Sequence, residues 1–252
     1  MNSSPRQEQV GEMMDRAEAA LRRAQWFEAE RVALKALEMA RREEDFDTMA
    51  RIVLPLQEAR RQRLQAALAS KKLKILAGDI SDEMPLAPSA YLVQPPAVGA
   101  DARRLRLAAL RREIPVAVLC REPRTQLGLC PVVAIGQTTV RVRIDPPKNW
   151  DKPDLKWFVA AMEQLGNAAI EGLDTGMELD RQLDYLLDSL DAVPDHEKLH
   201  QALEAKCREA ARGFVRTRPL DVLDEEVAEL EDAEVDEDGN IRPKAVSEED
   251  ED

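Results

Sequence analysis

Between residues 8 and 69, small and apolar side chains return every three or four positions, and that spacing commits the first quarter of the chain to stacked helices. Val10, Met13, Met14, Ala17, Ala20, Leu21 and Ala24 trace one face of a helix over 8–23. Trp26, Ala29, Val32, Ala33, Ala36, Leu37 and Ala40 trace a second. Glu43, Glu44 and Asp45 mark a break before a third helix over 46–69, which Pro55 is expected to kink or shorten. Alanine at so many inward positions leaves few large side chains for a core. Aromatic residues make up 4% of the 252-residue chain against 44% apolar residues in total, a balance that favours helix over sheet.

The segment AEAALRRAQWFEAERVALKALEMA resembles one tetratricopeptide repeat, over about residues 13–46. Ala17, Ala29 and Ala36 fall on the small positions of that pattern, and Trp26 and Phe27 fall at its turn. Ala24 stands where the pattern has glycine, and Met13 and Ala20 where it prefers large aromatics. The resemblance implies a helical hairpin that presents a groove to a partner helix or peptide. Such units normally need neighbours on which to stack, so the module is expected to lean on the rest of the chain or on a second copy.

Residues 78–100 are rich in Pro and turn formers and read as a linker that contributes one short strand at Tyr91, Leu92 and Val93. A basic helix is expected over 101–112. Three strand-like runs follow, over 115–121, 129–135 and 138–144, with a tight turn at Gly136 and Gln137, so an antiparallel meander is expected. Asp154 is placed to cap a helix that carries Leu155, Phe158, Val159, Met162, Leu165 and Ile170 and covers the sheet. Two further helices, over 178–192 and 195–212, are divided by Pro194. The expected fold is therefore α+β and mostly helical. Its parts are a helical module at 1–77, a linker at 78–100, an α+β domain at 101–218 and a disordered acidic tail at 219–252.

The net charge of −13 belongs to that tail: residues 221–252 hold 16 acids against Arg242 and Lys244, which leaves residues 1–220 near neutral. Carboxylate repulsion and the shortage of large apolar side chains predict that the tail is unfolded on its own. An odd number of cysteines, Cys120, Cys130 and Cys207, none in a CxxC spacing, points to reduced thiols and a cytoplasmic protein. No signal-peptide core and no long apolar run is legible, so no membrane association is expected.

His196, Glu197 and His200 form an HExxH string, the spacing with which two imidazoles and a glutamate serve zinc hydrolysis. Pro194 places it on the first turn of its helix, Asp195 and Lys198 charge its surroundings, and the chain has only these two histidines. The expectation is a solvated helix start, with no metal, cofactor or catalytic residues. Cys120 and Cys130 are candidates to meet on neighbouring strands close to Arg121 and Arg124. Basic clusters at Arg60, Arg61, Arg63, Lys71, Lys72 and Lys74, and over 103–112, offer phosphates a surface but lack interleaved aromatics.

The function expected from these residues is non-enzymatic protein–protein interaction, with a protein or peptide partner bound through Met13, Met14, Trp26 and Phe27, and with room for a homo-oligomer. The alternative is an enzyme or small-ligand-binding domain whose pocket lies between the meander and the helix over 157–165, lined by Trp150, Trp157 and Arg143. A nucleic-acid-associated protein screened by its own tail stands third.

Overall fold

The structure is a computed structural model that describes residues 5–214, 233–235 and 241–243. Residues 5–213 form one compact unit. It begins with three helices, α1 (Pro5–Arg22), α2 (Trp26–Arg42) and α3 (Phe46–Leu68), each packed on the next. The two turns between them are built alike. Gln25 N donates to Ala20 O at 2.9 Å and Ala24 N to Leu21 O at 2.9 Å; Asp45 N donates to Ala40 O at 2.9 Å and Glu44 N to Arg41 O at 3.1 Å. These paired bonds satisfy the last carbonyls of each helix, and they put Ala24 at φ 57° and Glu44 at φ 54°. Ala20, Ala29 and Ala59 meet between the three helices, where the missing side-chain bulk permits close approach. Asp45 caps α3, accepting from Thr48 N at 3.0 Å. α3 continues past Pro55 instead of stopping there.

A five-stranded sheet follows, ordered β1 (Leu73–Leu76), β2 (Ser89–Val93), β3 (Val116–Arg121), β4 (Cys130–Ile135) and β5 (Thr139–Ile144). β3, β4 and β5 form the expected antiparallel meander, while β1, β2 and β3 run parallel. α4 (Gly99–Arg111) crosses from β2 to β3 and covers one face, where Ala102 and Leu105 join Tyr91, Val93, Cys120 and Val133. Alternate residues Ala90, Leu92, Ala117 and Leu119 turn to the other face and are also buried, where α3 runs against β2 and β3. α5 (Leu155–Glu171) lies against β5 and β4, with Asp154 accepting from Trp157 N at 2.7 Å as its cap. α6 (Leu179–Ala192) and α7 (Glu197–Gly213) complete the unit, α7 packing along α3.

Two expectations are corrected. Residues 78–100 are not a linker, because every residue of β2 is buried, together with Ile80 and Ala97. A strand buried on both faces has no polar alternation to announce it, and β1 has only four residues. The boundary at 77 likewise falls inside a continuous core, since α7 supplies the neighbour on which the helical module stacks. Within 219–252, where composition predicts disorder, the described residues are β6 (Ala233–Val235) and β7 (Ile241–Pro243), paired antiparallel. The remainder of that expectation lies outside the described residues. No described helix is long and apolar enough to cross a membrane.

Left-handed backbone costs a residue with a Cβ about 1 kcal/mol more than glycine. Ala24→Gly is therefore expected to stabilise the chain by up to about 0.5 kcal/mol after the gain in unfolded-state entropy is subtracted, measured as a shift in the urea midpoint at constant m-value.

Candidate functional site

The C-terminal ends of parallel strands are where open α/β sheets present ligand sites, because the loops that leave them diverge. Here β2 ends at Val93 and β3 at Arg121, and the loops that follow enclose a cleft of about 560 Å³. It is lined by Gln94, Pro95, Arg121, Pro123, Arg124, Trp150 and Asp151. Arg121 is the last residue of an otherwise apolar strand and is 1% exposed. Its Nε donates to Gln94 Oε1 at 3.1 Å, its Nη2 donates to the same oxygen, and its Nη1 is buried without a hydrogen-bond partner. The backbone of Gln94 is fixed in turn by donation to Leu76 O at 2.9 Å.

Trp150 gathers the two cations. Arg121 lies 4.1 Å and Arg124 4.7 Å from the centroid of its ring. Burial lowers the pKa of Arg121, and a guanidinium remains charged regardless. Among the described residues, neither arginine forms an ion pair with a carboxylate in this cleft. Asp151, the one acid among the described lining residues, acts on Arg121 at longer range. A buried cation is ordinarily matched by an anion; this one is held by a neutral amide and retains a donor for something else.

The other candidates come apart. His196 and His200 are 4% and 1% exposed, so the helix start is not the solvated one expected from its charges. His196 Nδ1 accepts from Leu199 N at 3.2 Å and caps α7, with its ring pressed so close to α5 that a Cβ on Gly166 would lie 2.1 Å from it. Its Nε2 lies 3.3 Å from Glu163 without hydrogen-bond geometry. His200 Nδ1 contacts His196 O at 2.9 Å and its Nε2 faces Arg60 Nη1 at 3.3 Å, so a cation occupies the direction a metal would need. Burial and Arg60 push its pKa down to about 3. No group of three or more potential ligands converges among the described residues.

Arg60 belongs to a buried ionic cluster instead. Glu30 receives Arg60 at 2.9 Å and Arg63 at 2.9 Å, and Arg63 reaches Asp195 at 3.8 Å. Arg63 also covers the Phe27 ring at 5.2 Å. Of the expected partner contacts, Met14 is buried, whereas Met13, Trp26 and Phe27 are half-buried. Other basic residues are matched as well: Arg61 with Glu58, Arg103 with Asp191, Arg104 with Asp101, and Arg111 with Asp82.

Between the sheet and α5, where the ligand pocket of the alternative reading was expected, the cavity is about 30 Å³, room for roughly one water. Leu119, Met162 and Leu165 fill that layer. Trp157 pins α5 by donating to Asp145 O at 3.0 Å, and Arg143 is exposed on β5, so only Trp150 of the three expected residues lines the real cleft. Cys120 pairs with Val133 in the sheet and Cys130 with Ile144, so the two thiols are not opposed. Burial pushes them up to about 12 and about 11, which keeps both protonated at neutral pH.

No protein-family model, curated protein or solved structure matches the chain.

Two measurements follow from the buried cluster. Glu30→Ala strands two buried guanidinium groups and is expected to cost about 3–5 kcal/mol in urea unfolding. His200 titrates near 6.5 when unfolded and near 3 when folded. The unfolded chain therefore binds the extra proton between those values: stability is full above about pH 6.5 and falls as pH drops towards 3, by on the order of a few kcal/mol. His200→Gln is expected to flatten that part of the profile.

Proposed function

We propose that this chain is a binding protein whose Arg121–Trp150 cleft takes the anionic group of a ligand. The observation that carries the reading is the Nη1 of Arg121: a buried, charged donor without a partner, beside an open cleft that a second arginine also borders. A carboxylate or phosphate seated there accepts from Arg121 and Arg124 together, and such charge-assisted bonds are the strong ones. Gln94 sets the selectivity. Its amide oxygen fixes the guanidinium without neutralising it, so the positive charge is left for the ligand.

A second reading is supported by a different observation. Leu34 and Leu54 are 37% and 52% exposed, and each is the ninth residue of its helix, α2 and α3. Together with half-buried Trp26 and Phe27, they favour a protein partner on the tetratricopeptide-like module. The cleft is the stronger case, because exposed leucines are common on protein surfaces while unpaired buried arginines are not.

The test is titration with inorganic phosphate, followed by calorimetry and by tryptophan fluorescence. Wild type is expected to bind, Arg121→Met and Arg124→Met to bind at least about tenfold more weakly, and Gln94→Glu to lose binding although its side chain keeps the same reach. Thermal unfolding of each variant establishes that it is folded. Equal binding by wild type and by folded Arg121→Met and Gln94→Glu would show that the cleft is not the site.

A further inference from the structure

The loops that wall the cleft also carry exposed apolar side chains. Leu127 is 88% exposed and Val98 56% exposed, and these are the two most exposed large hydrophobic side chains among the described residues. Both belong to the loops that build the cleft: Val98 lies three residues beyond Pro95, and Leu127 three residues beyond Arg124. The Leu127 loop is ordered by its own bonds. Thr125 N donates to Leu129 O at 2.9 Å, Gly128 N to Thr125 O at 2.9 Å, and Leu129 N to Thr125 Oγ1 at 3.0 Å. At the loop's base Glu122 pairs with Arg141 at 2.6 Å. A leucine is thus displayed to water on a braced loop whose Pro123 and Arg124 line the cationic cleft.

A small anion that fills only the cleft leaves both side chains in water. An extended chain anchored in the cleft by an acidic side chain continues over the borders and covers them. The cleft walls suit such a chain, because Pro95, Pro123 and the Trp150 ring are rigid and lose little freedom when covered. Acidic-motif recognition by paired arginines, with apolar residues adding area beside them, is a recurrent mode of peptide binding. We infer that the ligand of this cleft is an acidic segment of a partner protein, with a large apolar residue close to its anchoring carboxylate. This rests on the anion-binding reading above and adds the ligand's class to it.

Random short peptides displayed on phage are selected against the full chain and, in parallel, against Arg121→Met. Wild type is expected to enrich peptides in which adjacent acids stand beside Leu, Ile or Phe, and Arg121→Met to enrich none of them. For a synthetic copy of an enriched peptide, Leu127→Ser and Val98→Ser are each expected to weaken binding by about fivefold, the scale of one apolar side chain partly returned to water. The same two variants are expected to bind inorganic phosphate as wild type does. Enriched peptides without acids, or affinities unmoved by both border variants, overturn the peptide inference while Arg121-dependent phosphate binding keeps the anion site. Loss of Arg121 dependence for peptide and phosphate alike overturns both.

Discussion

The Glu30 carboxylate lies between the guanidinium groups of Arg60 and Arg63, all three sheltered from water, and the packing of the helical layer is arranged around that contact. α2 supplies the anion, α3 both cations, and Asp195, just before α7, the next acid in line. Arg60 also reaches Leu190 O at 3.5 Å and so touches α6. Apolar contacts slide at little cost, whereas a buried ion pair that loses register leaves a charge in low dielectric. The cluster thereby fixes how the N-terminal helices sit on α7, in a region where alanine-rich interfaces offer little interlocking shape. His200 belongs to the same arrangement: it is neutral because Arg60 and burial exclude its proton, and that neutrality ties the cluster's integrity to pH.

The cleft inverts that chemistry. In the cluster each buried arginine meets a carboxylate; at the end of β3, Arg121 meets an amide. The difference between a structural and a binding guanidinium is visible in that single acceptor. α3 and α4 cover the two faces of the parallel strands, and none of the described residues that line the cleft belongs to either helix, so the loops that leave β2 and β3 are where the fold can display a charge without weakening its core.

Much of this was legible in the sequence, and the failures share a cause. The helices over 5–68, the meander and the Asp154 cap follow from periodicity and capping chemistry that act locally. β2 reads only as a short strand in a linker, because complete burial removes alternation, and Gln94 and Pro95 of its flank line the cleft. Trp150, Arg121 and Arg124 each stood out in the sequence, yet Gln94 and Pro95 did not, since they reach Arg121 only through a parallel pairing. One signal did exist: an arginine that closes a strand of Val116, Ala117, Val118, Leu119 and Cys120 and precedes a proline by two residues. The charges around the HExxH string mislead in the opposite direction: Asp195 and Lys198 imply a solvated helix start, whereas His196 and His200 are buried and His200 faces Arg60 on a distant helix.

The central claim is that Arg121 is a buried charge kept available for an anion. Nitrogen-15 NMR of the arginine Nε–H and tryptophan indole N–H groups, followed as inorganic phosphate is added at constant ionic strength, tests it at the atom concerned. The account predicts saturable shifts confined to Arg121, Arg124 and Trp150, with the paired arginines Arg60 and Arg63 unmoved. Shifts spread evenly over the exposed arginines, with Arg121 silent, would contradict it.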